Sequence, residues 1–229
     1  VAELRQRGDE VTVLSRDADR ARQSLGEGVR ALEWTEPKTQ SPPAEALAGQ
    51  DGVLHLLGEP IAQRWSDETK REIRDSRVLT TRNLVAALRD LDAAERPSVL
   101  VSQSAVGWYG ARGDEKVDES APAAADFLAQ VCQDWEAEAR AAEELDVRVV
   151  CTRTGVVLSE EGGALEKMLP PFKLGVGGPV AGGRQYVPWV HADDVVGSLL
   201  HCLDQGSVTG AVNVTAPEPV TNKELSKAL

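Results

Sequence analysis

Short apolar runs alternate with amphipathic stretches along much of the chain, and this alternation restricts the fold more than any other feature of the sequence. The runs lack the regular polar–apolar alternation of a half-exposed strand, so each is expected to be buried on both faces. Such strands, separated by helices, form a parallel sheet that helices cover on both sides. The sequence therefore predicts an α/β fold.

Strands are predicted at residues 10–14, 29–34, 52–57, 98–102, 147–152 and 211–215. The longer amphipathic stretches predict helices at residues 17–25, 67–91 and 127–145, with a further strand end and helix within residues 190–203. Between Gly162 and Gly183, glycine and proline are so frequent that we expect loops there. Loops attached to a sheet commonly carry substrate-binding residues.

Acidic residues outnumber basic ones by 37 to 25, which gives the chain a net charge of −12. So acidic a surface repels phosphate backbones, and a nucleic-acid partner is not expected. No apolar run reaches the ~18–20 residues that cross a bilayer, so a membrane partner is not expected either. Cys132, Cys151 and Cys202 are odd in number and far apart, which indicates reduced thiols of a cytoplasmic protein and neither a disulfide framework nor a metal site.

The chain opens inside a helical pattern, without an initiator methionine. Val1 and Leu4 share one helical face, Arg5 and Arg7 suit a last turn, and Gly8 suits the position after the helix. The segment therefore predicts the second half of a helix whose first half is not in the sequence.

Several stretches follow one another in a recognisable order, at residues 11–16, 55–60, 75–77, 101–110, 134–136, 153–158, 188–195 and 213–219. Together they resemble the extended short-chain dehydrogenase/reductase superfamily. More narrowly, they resemble its atypical branch of NADP-dependent oxidoreductases and nucleoside-diphosphate-sugar epimerases. The resemblance implies a Rossmann-type doubly wound parallel sheet, with an NADP-binding core at residues 1–158. A small Gly/Pro-rich substrate lobe at residues 159–229 would interleave with the last strands of the core.

Members of this superfamily open with a strand and a GxxGxxG turn, whose backbone amides face the cofactor pyrophosphate at a helix N-terminus. That first strand and Gly-rich loop are absent from the sequence. The resemblance implies that the strand belongs between those at residues 11–14 and 53–57, which should then lie about two strand widths apart. We expect that the sequence is incomplete; the alternative is a degraded homologue that cannot bind a dinucleotide.

Ser15 and Arg16 close the first predicted strand, where these folds bind the adenosine ribose. An acidic residue here takes the 2′-hydroxyl of NAD, whereas a cation suits the 2′-phosphate of NADP. NADP is therefore the expected cofactor, and NAD is less favoured. The alternative is an ordinary exposed arginine at a strand end.

The other cofactor-binding residues are expected from their place after buried strands or from the resemblance. They are Leu56, Leu57, Gly58, Glu72, Arg77, Ser102 and Val157. Typical members carry Asn where this chain has Arg77, and the atypical branch shares the arginine. The resemblance implies that Arg77, with Glu72 on the same helix, reaches toward the cofactor. The alternative is a solvated helix face.

Typical members catalyse proton transfer with a serine and the Tyr and Lys of a YxxxK motif, in which the Lys charge lowers the phenol pKa. Ser104 occupies the serine position. The YxxxK motif is missing, and its two positions fall on Gln130 and Asp134 when counted from the Ala-Glu pair at residues 137–138. Gln130 has no titrating proton and Asp134 would raise a neighbouring phenol's pKa, so the usual mechanism is excluded.

Tyr109 is the expected catalytic replacement for the missing acid, because it closely follows Ser104. The alternative is that Trp108 and Tyr109 form an aromatic wall for the substrate. Arg184 resembles the residue with which extended members bind a nucleotide-sugar diphosphate, and its guanidinium could bind an anion bidentately. It could equally be a loop arginine facing water.

Three further sites have structural rather than chemical interpretations. His55 lies in an apolar run and is expected to be a hydrogen-bonded core residue. Cys132 is explained by packing of its helix. Asp193 and Asp194 are expected to precede a helix and cap its N-terminus, not to bind a metal.

Two functions therefore stay open. The first is an atypical NADP-dependent oxidoreductase or epimerase-like enzyme that acts on a small or nucleotide-linked carbonyl substrate, as a monomer or homodimer. The second is a non-catalytic NADP(H)-binding module that senses redox state. The missing Tyr–Lys pair favours the second, whereas the lobe with Arg184 favours the first.

Overall fold

The computed structural model describes residues 1–160 and 162–229. They form two compact units: the first comprises Val1–Ser102 and Asp134–Val150, the second Gln103–Gln133 and Cys151–Leu229. The functional division expected at residue 158, between a cofactor core and a substrate lobe, remains a prediction.

Helices and strands alternate as the sequence predicts. The helices are α1 (Ala2–Gln6), α2 (Ala18–Leu25), α3 (Asp67–Asp90), α4 (Phe127–Arg140), α5 (Gly163–Lys173), α6 (Ala192–Asp204) and α7 (Asn222–Ala228). The strands are β1 (Val11–Ser15), β2 (Val29–Glu33), β3 (Gly52–His55), β4 (Val99–Ala105), β5 (Arg148–Thr154), β6 (Val156–Ser159), β7 (Tyr186–Val187), β8 (Trp189–His191), β9 (Gly210–Val214) and β10 (Val220–Thr221). Short 3-10 helices lie at Ala44–Ala46, Ala93–Glu95, Val106–Tyr109 and Ala141–Leu145.

A parallel sheet in the order β3-β4-β5-β9 confirms the predicted α/β class. Its β3 pairs with β4 from Gly52 opposite Val99 to His55 opposite Ser102. Strand β1 pairs in parallel with β2, and within residues 1–160 and 162–229 this pair is a sheet of its own, with no ladder between β1 and β3. The expected distance of about two strand widths between β1 and β3 remains a prediction.

Helix α3 supplies much of the apolar core of the first unit. Ser66 caps its N-terminus, because the Ser66 hydroxyl accepts a hydrogen bond from the Thr69 amide at 3.1 Å. Ile73, Leu84 and Leu88 lie at helical spacing and are fully buried. Burying each such side chain contributes roughly 1.5–3 kcal/mol to the free energy of folding.

In the second unit, β6 pairs in parallel with β8, and β7 pairs antiparallel with β10. Gly155 stands where β5 passes into β6. A Cβ atom at this position would clash with the backbone carbonyl oxygen of Pro188, so a larger residue would force the backbone before β8 to shift. Thr221 and Glu224 form a capping box that starts α7.

The structure corrects three sequence expectations. The predicted loops from Gly162 to Gly183 include the helix α5, because apolar side chains at helical spacing outweigh its two prolines, which are exposed. The helix predicted to reach residue 145 is α-helical only to Arg140 and then continues as a 3-10 turn. The strand predicted to end at Ser102 extends to Ala105. In the part of the chain described, no helix is both long and apolar enough to cross a membrane.

Candidate functional site

The C-terminal end of β1 opens onto a cavity of about 500 Å³ that runs along α2. The chain turns sharply here, because the Asp17 carboxylate caps α2 by accepting a hydrogen bond from the Arg20 amide at 2.8 Å. The Asp17 amide in turn donates to the Ser15 hydroxyl oxygen at 3.2 Å. Ser15, Arg16 and Arg20 therefore line one face of the cavity.

Arg16 and Arg20 carry the positive charge of this cavity. Both side chains are exposed, and neither makes a hydrogen bond or ion pair with any residue that the structure describes. Arg22, on the same helix, differs: its guanidinium binds the Asp19 carboxylate at 2.5 Å and the Ala31 carbonyl oxygen at 2.8 Å. Two uncommitted guanidinium groups at a strand end are donors that fit a phosphate monoester, such as the 2′-phosphate of NADP.

The loop that follows β3 presents apolar side chains to solvent. Leu56 is 53% exposed and Leu57 is 37% exposed, although both follow a strand whose last residue, His55, is buried. Exposed leucines at the carboxyl end of a parallel strand fit a surface that a ligand covers, because ligands bind outside that edge of such sheets. Leu56 and Leu57 are thus accessible at this edge, and their part in cofactor binding remains a prediction.

Arg77 meets this loop from α3. Its Nη2 donates to the Glu59 carbonyl oxygen at 2.9 Å, and its Nη1 donates to the Ile73 carbonyl oxygen at 2.9 Å. The preceding side chain also holds the loop, since the Glu59 amide donates to the Ser76 hydroxyl oxygen at 3.0 Å. Arg77 and the Leu56–Gly58 segment are thus brought together.

Glu72 does not join Arg77. Its carboxylate accepts a hydrogen bond from the Lys38 ammonium at 2.7 Å. That hydrogen bond is the main reason why the pKa of Lys38 is raised above its ordinary value. Glu72 therefore neutralises a lysine from the segment that follows β2.

Ser102 and Ser104 both lie on β4 and are buried; Ser104 is 1% exposed. The sequence predicted that the strand ends at Ser102, which would put Ser104 after it. In the structure β4 extends to Ala105, so Ser104 lies within the strand. Asp134, at the expected lysine position, is bound by Arg74, whose Nε and Nη2 both lie 3.0 Å from Oδ2. Its carboxylate is thus already paired with a cation.

Tyr109 belongs to a buried polar cluster in the second unit. Its hydroxyl donates to Asn213 Oδ1 at 2.6 Å and accepts a hydrogen bond from Arg153 Nη1 at 3.1 Å. The Arg153 guanidinium stacks on the Trp108 ring with Cζ 3.7 Å from the centroid, and Nη1 also donates to the Glu119 carbonyl oxygen at 3.2 Å. Tyr109 and Arg153 are 4% and 3% exposed. The phenolic proton is therefore engaged with Asn213 in this state.

The two remaining predicted residues also lie in the second unit. Val157 is on β6, in register with Val190 of β8. Arg184 is exposed and makes no ion pair or side-chain hydrogen bond with any described residue, so its guanidinium is available to an anion. That Ser104, Trp108, Tyr109, Val157 and Arg184 act together with the cofactor residues of the first unit stays a prediction.

Sequence reasoning assigned no role to Ser76 or Arg153. Ser76 precedes Arg77, which the sequence analysis had singled out. The signal that could have identified Ser76 is that it is a small hydroxyl residue on a stretch of helix that is otherwise mostly charged. Arg153 is the one charged residue in the sequence from position 149 to position 159. A charge in such a run signals a buried polar cluster, because an interior guanidinium needs partners.

The structural interpretations have mixed outcomes. His55 is confirmed as a buried core residue, with Nε2 2.9 Å from the Thr81 hydroxyl oxygen. Cys132 is confirmed as buried. The expectation for Asp193 and Asp194 is wrong: α6 begins at Ala192, both lie in its first turn, and the cap is His191, whose Nδ1 accepts a hydrogen bond from the Asp193 amide at 3.2 Å.

Sequence comparison places these features among known proteins. A model of the NAD dependent epimerase/dehydratase family matches residues 1–215. The epimerase family protein SDR39U1 homolog, chloroplastic, of Arabidopsis thaliana is 39% identical over 233 residues, which cover 100% of this chain and 65% of the relative. The chain therefore spans slightly less than two thirds of the length of this curated relative.

Two solved structures are similar in both sequence and fold. The crystal structure of the human epimerase family protein SDR39U1 (isoform 2) with NADPH is 34% identical in sequence and has a TM-score of 0.83. The match covers 99% of this chain and 72% of the human chain. The nucleoside-diphosphate sugar epimerase from Corynebacterium glutamicum is 33% identical and has a TM-score of 0.75. The match covers 96% of this chain and 49% of that protein's chain. The human structure contains the same cofactor class that the sequence predicts here.

Proposed function

The chain belongs to the NAD dependent epimerase/dehydratase family, and from that premise we propose that it is an NADP-binding, oxidoreductase- or epimerase-like protein. Its substrate would be a small or nucleotide-linked carbonyl compound. The observation that carries the proposal is the pair of uncommitted guanidinium groups, Arg16 and Arg20, on the cavity at the end of β1. The NADPH of the human relative supports the same choice of cofactor.

Arg16 and Arg20 would bind the 2′-phosphate, and Ser15 would donate its hydroxyl proton to the same ribose phosphate. Leu56, Leu57 and Gly58 would cover an apolar part of the cofactor, with Ser102 and Val157 as further contacts. Arg77 would support this surface through the Glu59 backbone, to which it is bound, and Glu72 would contribute only through Lys38. When bound, NADP(H) supplies or accepts a hydride.

Chemistry would depend on groups other than a Tyr–Lys pair. The Ser104 hydroxyl would hydrogen-bond the substrate oxygen and stabilise the negative charge that develops on it. Tyr109 is the available phenol, but its proton is donated to Asn213, so acting as an acid would require that bond to break. Trp108 and Arg184 would contact the substrate, and Arg184 would bind an anionic group such as a diphosphate.

A non-catalytic redox-sensing module is the second candidate. The ion pair between Asp134 and Arg74 favours it, because the position predicted for the superfamily's lysine then carries a carboxylate that is already paired with a cation and cannot supply the lysine's positive charge. A sensor needs the cofactor cavity but no proton donor. Either function is consistent with a cytoplasmic protein that acts as a monomer or homodimer, which is part of the proposal.

The test combines binding with turnover on the full-length protein. Isothermal titration with NADPH and with NADH measures cofactor choice, and we expect NADPH to bind more tightly. A screen of carbonyl compounds and nucleotide-sugars, followed by NADPH absorbance and by epimer analysis, then separates the two candidates. Tight NADPH binding without turnover would select the sensor, and failure to bind either dinucleotide would overturn both candidates.

A further inference from the structure

We infer that Ser76 and Arg77 influence cofactor binding through the backbone of the Leu56–Glu59 loop, which they hold in place, and not by touching the cofactor. They are positioning residues in this sense. The inference rests on the proposed function, because that function assigns the loop to the cofactor wall.

Ser76 and Arg77 form a clamp on the loop: their side chains bind the backbone amide and the backbone carbonyl of Glu59. The Glu59 amide donates to the Ser76 hydroxyl oxygen at 3.0 Å, and the Glu59 carbonyl oxygen accepts from Arg77 Nη2 at 2.9 Å. Both side chains are anchored to their own helix, since the Ser76 hydroxyl donates to the Ile73 carbonyl oxygen at 3.2 Å and Arg77 Nη1 donates to it at 2.9 Å. The side chains of Ser76 and Arg77 therefore link the loop to the backbone of α3.

Gly58 gives the guanidinium room to reach the loop. A Cβ atom at residue 58 would lie 2.9 Å from Cζ of Arg77, 3.0 Å from Nη2 and 3.2 Å from Nε. These are the nearest atoms, and all of them belong to Arg77. Gly58 has no positive φ, so the space taken by Arg77, and not backbone strain, disfavours a side chain here.

Trp135 limits movement of Arg77 on another side. Its ring is buried, and the Arg77 Cζ atom lies 5.3 Å from the ring centroid. The guanidinium is thus held by Glu59, Ile73 and Trp135 together. Lysine would keep the charge but could not reproduce a planar group that donates in two fixed directions and lies over an indole.

The clamp matters for binding because the side chains that the loop carries have little packing of their own. Leu56 and Leu57 are 53% and 37% exposed, so the backbone fixes their position. Loosening Glu59 would let both leucines move, and the cofactor would then have to order them on binding. Ordering flexible side chains weakens affinity.

The experiment is a double-mutant cycle on the full-length protein, with Gly58→Ala, Arg77→Ala and both together. The NADPH Kd is measured by isothermal titration, and the midpoint of urea unfolding is measured in parallel. We expect each single substitution to weaken NADPH binding about ten-fold, as for loss of a hydrogen bond to a charged group. The double variant should be no weaker than Arg77→Ala within about two-fold, because the added methyl then meets no guanidinium.

Further variants separate positioning from simple stability. Ser76→Ala should weaken NADPH binding by several-fold, roughly as for a neutral hydrogen bond, and Arg77→Lys should not restore affinity. Arg82→Ala is the matched control: Arg82 lies on the same helix and pairs with Glu138, away from the loop, so the Kd should not change. A merely structural role would lower the urea midpoint and leave the Kd of the folded protein unchanged, which would overturn the inference.

Two other results would also overturn it. Additive effects of Gly58→Ala and Arg77→Ala would show that the glycine is not needed for the arginine. An Arg77→Ala protein with the wild-type Kd would show that the loop does not depend on the clamp. The wild-type affinity tests the proposed function separately: if it binds no NADPH, that function and the positioning role fail together, while the urea midpoints of the cycle still measure the Gly58–Arg77 contact.

Discussion

Arg74 binds the Asp134 carboxylate through Nε and Nη2, each 3.0 Å from Oδ2, across the contact between α3 and α4. The sequence predicts that the superfamily's catalytic lysine position falls on Asp134, and on that prediction the ion pair bears directly on the chemistry. A negatively charged carboxylate that is paired with Arg74 cannot replace the lysine ammonium, whose positive charge lowers the pKa of a neighbouring phenol.

We therefore predict that Asp134→Asn leaves any NADPH-dependent turnover nearly unchanged. Both side chains are partly exposed, and the pair should contribute only about 0–1 kcal/mol to stability. Gln130→Ala should likewise leave turnover nearly unchanged, because its amide has no titrating proton. Steady-state kinetics check both variants, and a large loss of kcat in either would restore these positions to the mechanism.

Ser104→Ala should lower kcat by on the order of 10²-fold, comparable to removing one oxyanion donor. The serine is buried within β4, so a stability change must be measured too. Urea unfolding of the same variant serves as the control, and the NADPH Kd should stay near the wild-type value. Turnover that survives the substitution would mean that the active site is elsewhere.

Arg16→Ala and Arg20→Ala should each weaken NADPH binding by about ten-fold or more while barely changing the Kd for NADH. The reason is that only NADPH carries the 2′-phosphate. Arg22→Ala is the matched control, because that arginine is already bound to Asp19 and Ala31. Equal losses for both dinucleotides would refute the assignment of this cavity.

Tyr109→Phe should lower the free energy of unfolding by about 1–3 kcal/mol, because it leaves Asn213 Oδ1 and the buried Arg153 short of a hydrogen-bond partner. Urea titration measures this. A kcat loss of similar size to that of Ser104→Ala, with loss of a titration near neutral pH, would identify Tyr109 as the acid. An unchanged pH profile would leave it a structural residue.

Stability should depend on the protonation of His55. Burial lowers its pKa from 6.5 to about 4, so between these values the unfolded chain binds a proton that the folded protein does not. The free energy of unfolding should therefore fall as pH drops from 6.5 to about 4, by at most about 3 kcal/mol, and His55 adds no further loss at lower pH. Urea unfolding at several pH values, compared with His55→Gln, isolates this contribution. An identical pH dependence in the variant would contradict it.

The fold was largely predictable because its signals are local. Buried strands such as β4 and β5 contain short apolar runs, at residues 99–101 and 149–151. Helix α2 follows Asp17, a residue type that caps helices. Expectations failed where local signals compete, as in α5, whose prolines suggested a loop although its apolar residues keep a helical spacing.

The site was only partly predictable, because its contacts join distant positions. Arg16 could be singled out, since a strand end is visible in the sequence. The hydrogen bond between Tyr109 and Asn213 joins residues 104 positions apart, and no local pattern encodes it. Likewise, the family resemblance implies that Arg77 reaches toward the cofactor, but it could not show that the guanidinium is bonded to the Glu59 backbone.

Because Ser76 and Arg77 bind the backbone amide and carbonyl of residue 59 and not its side chain, position 59 should tolerate wide diversification in a mutant library. The glutamate side chain adds only a weak attraction for Lys38, so most replacements would keep both loop hydrogen bonds. Proline is the exception, since it has no amide proton for Ser76 to accept. A residue whose backbone makes essential hydrogen bonds can thus vary freely in side chain during evolution. Sequence variability at position 59 would therefore not mean that the loop is dispensable.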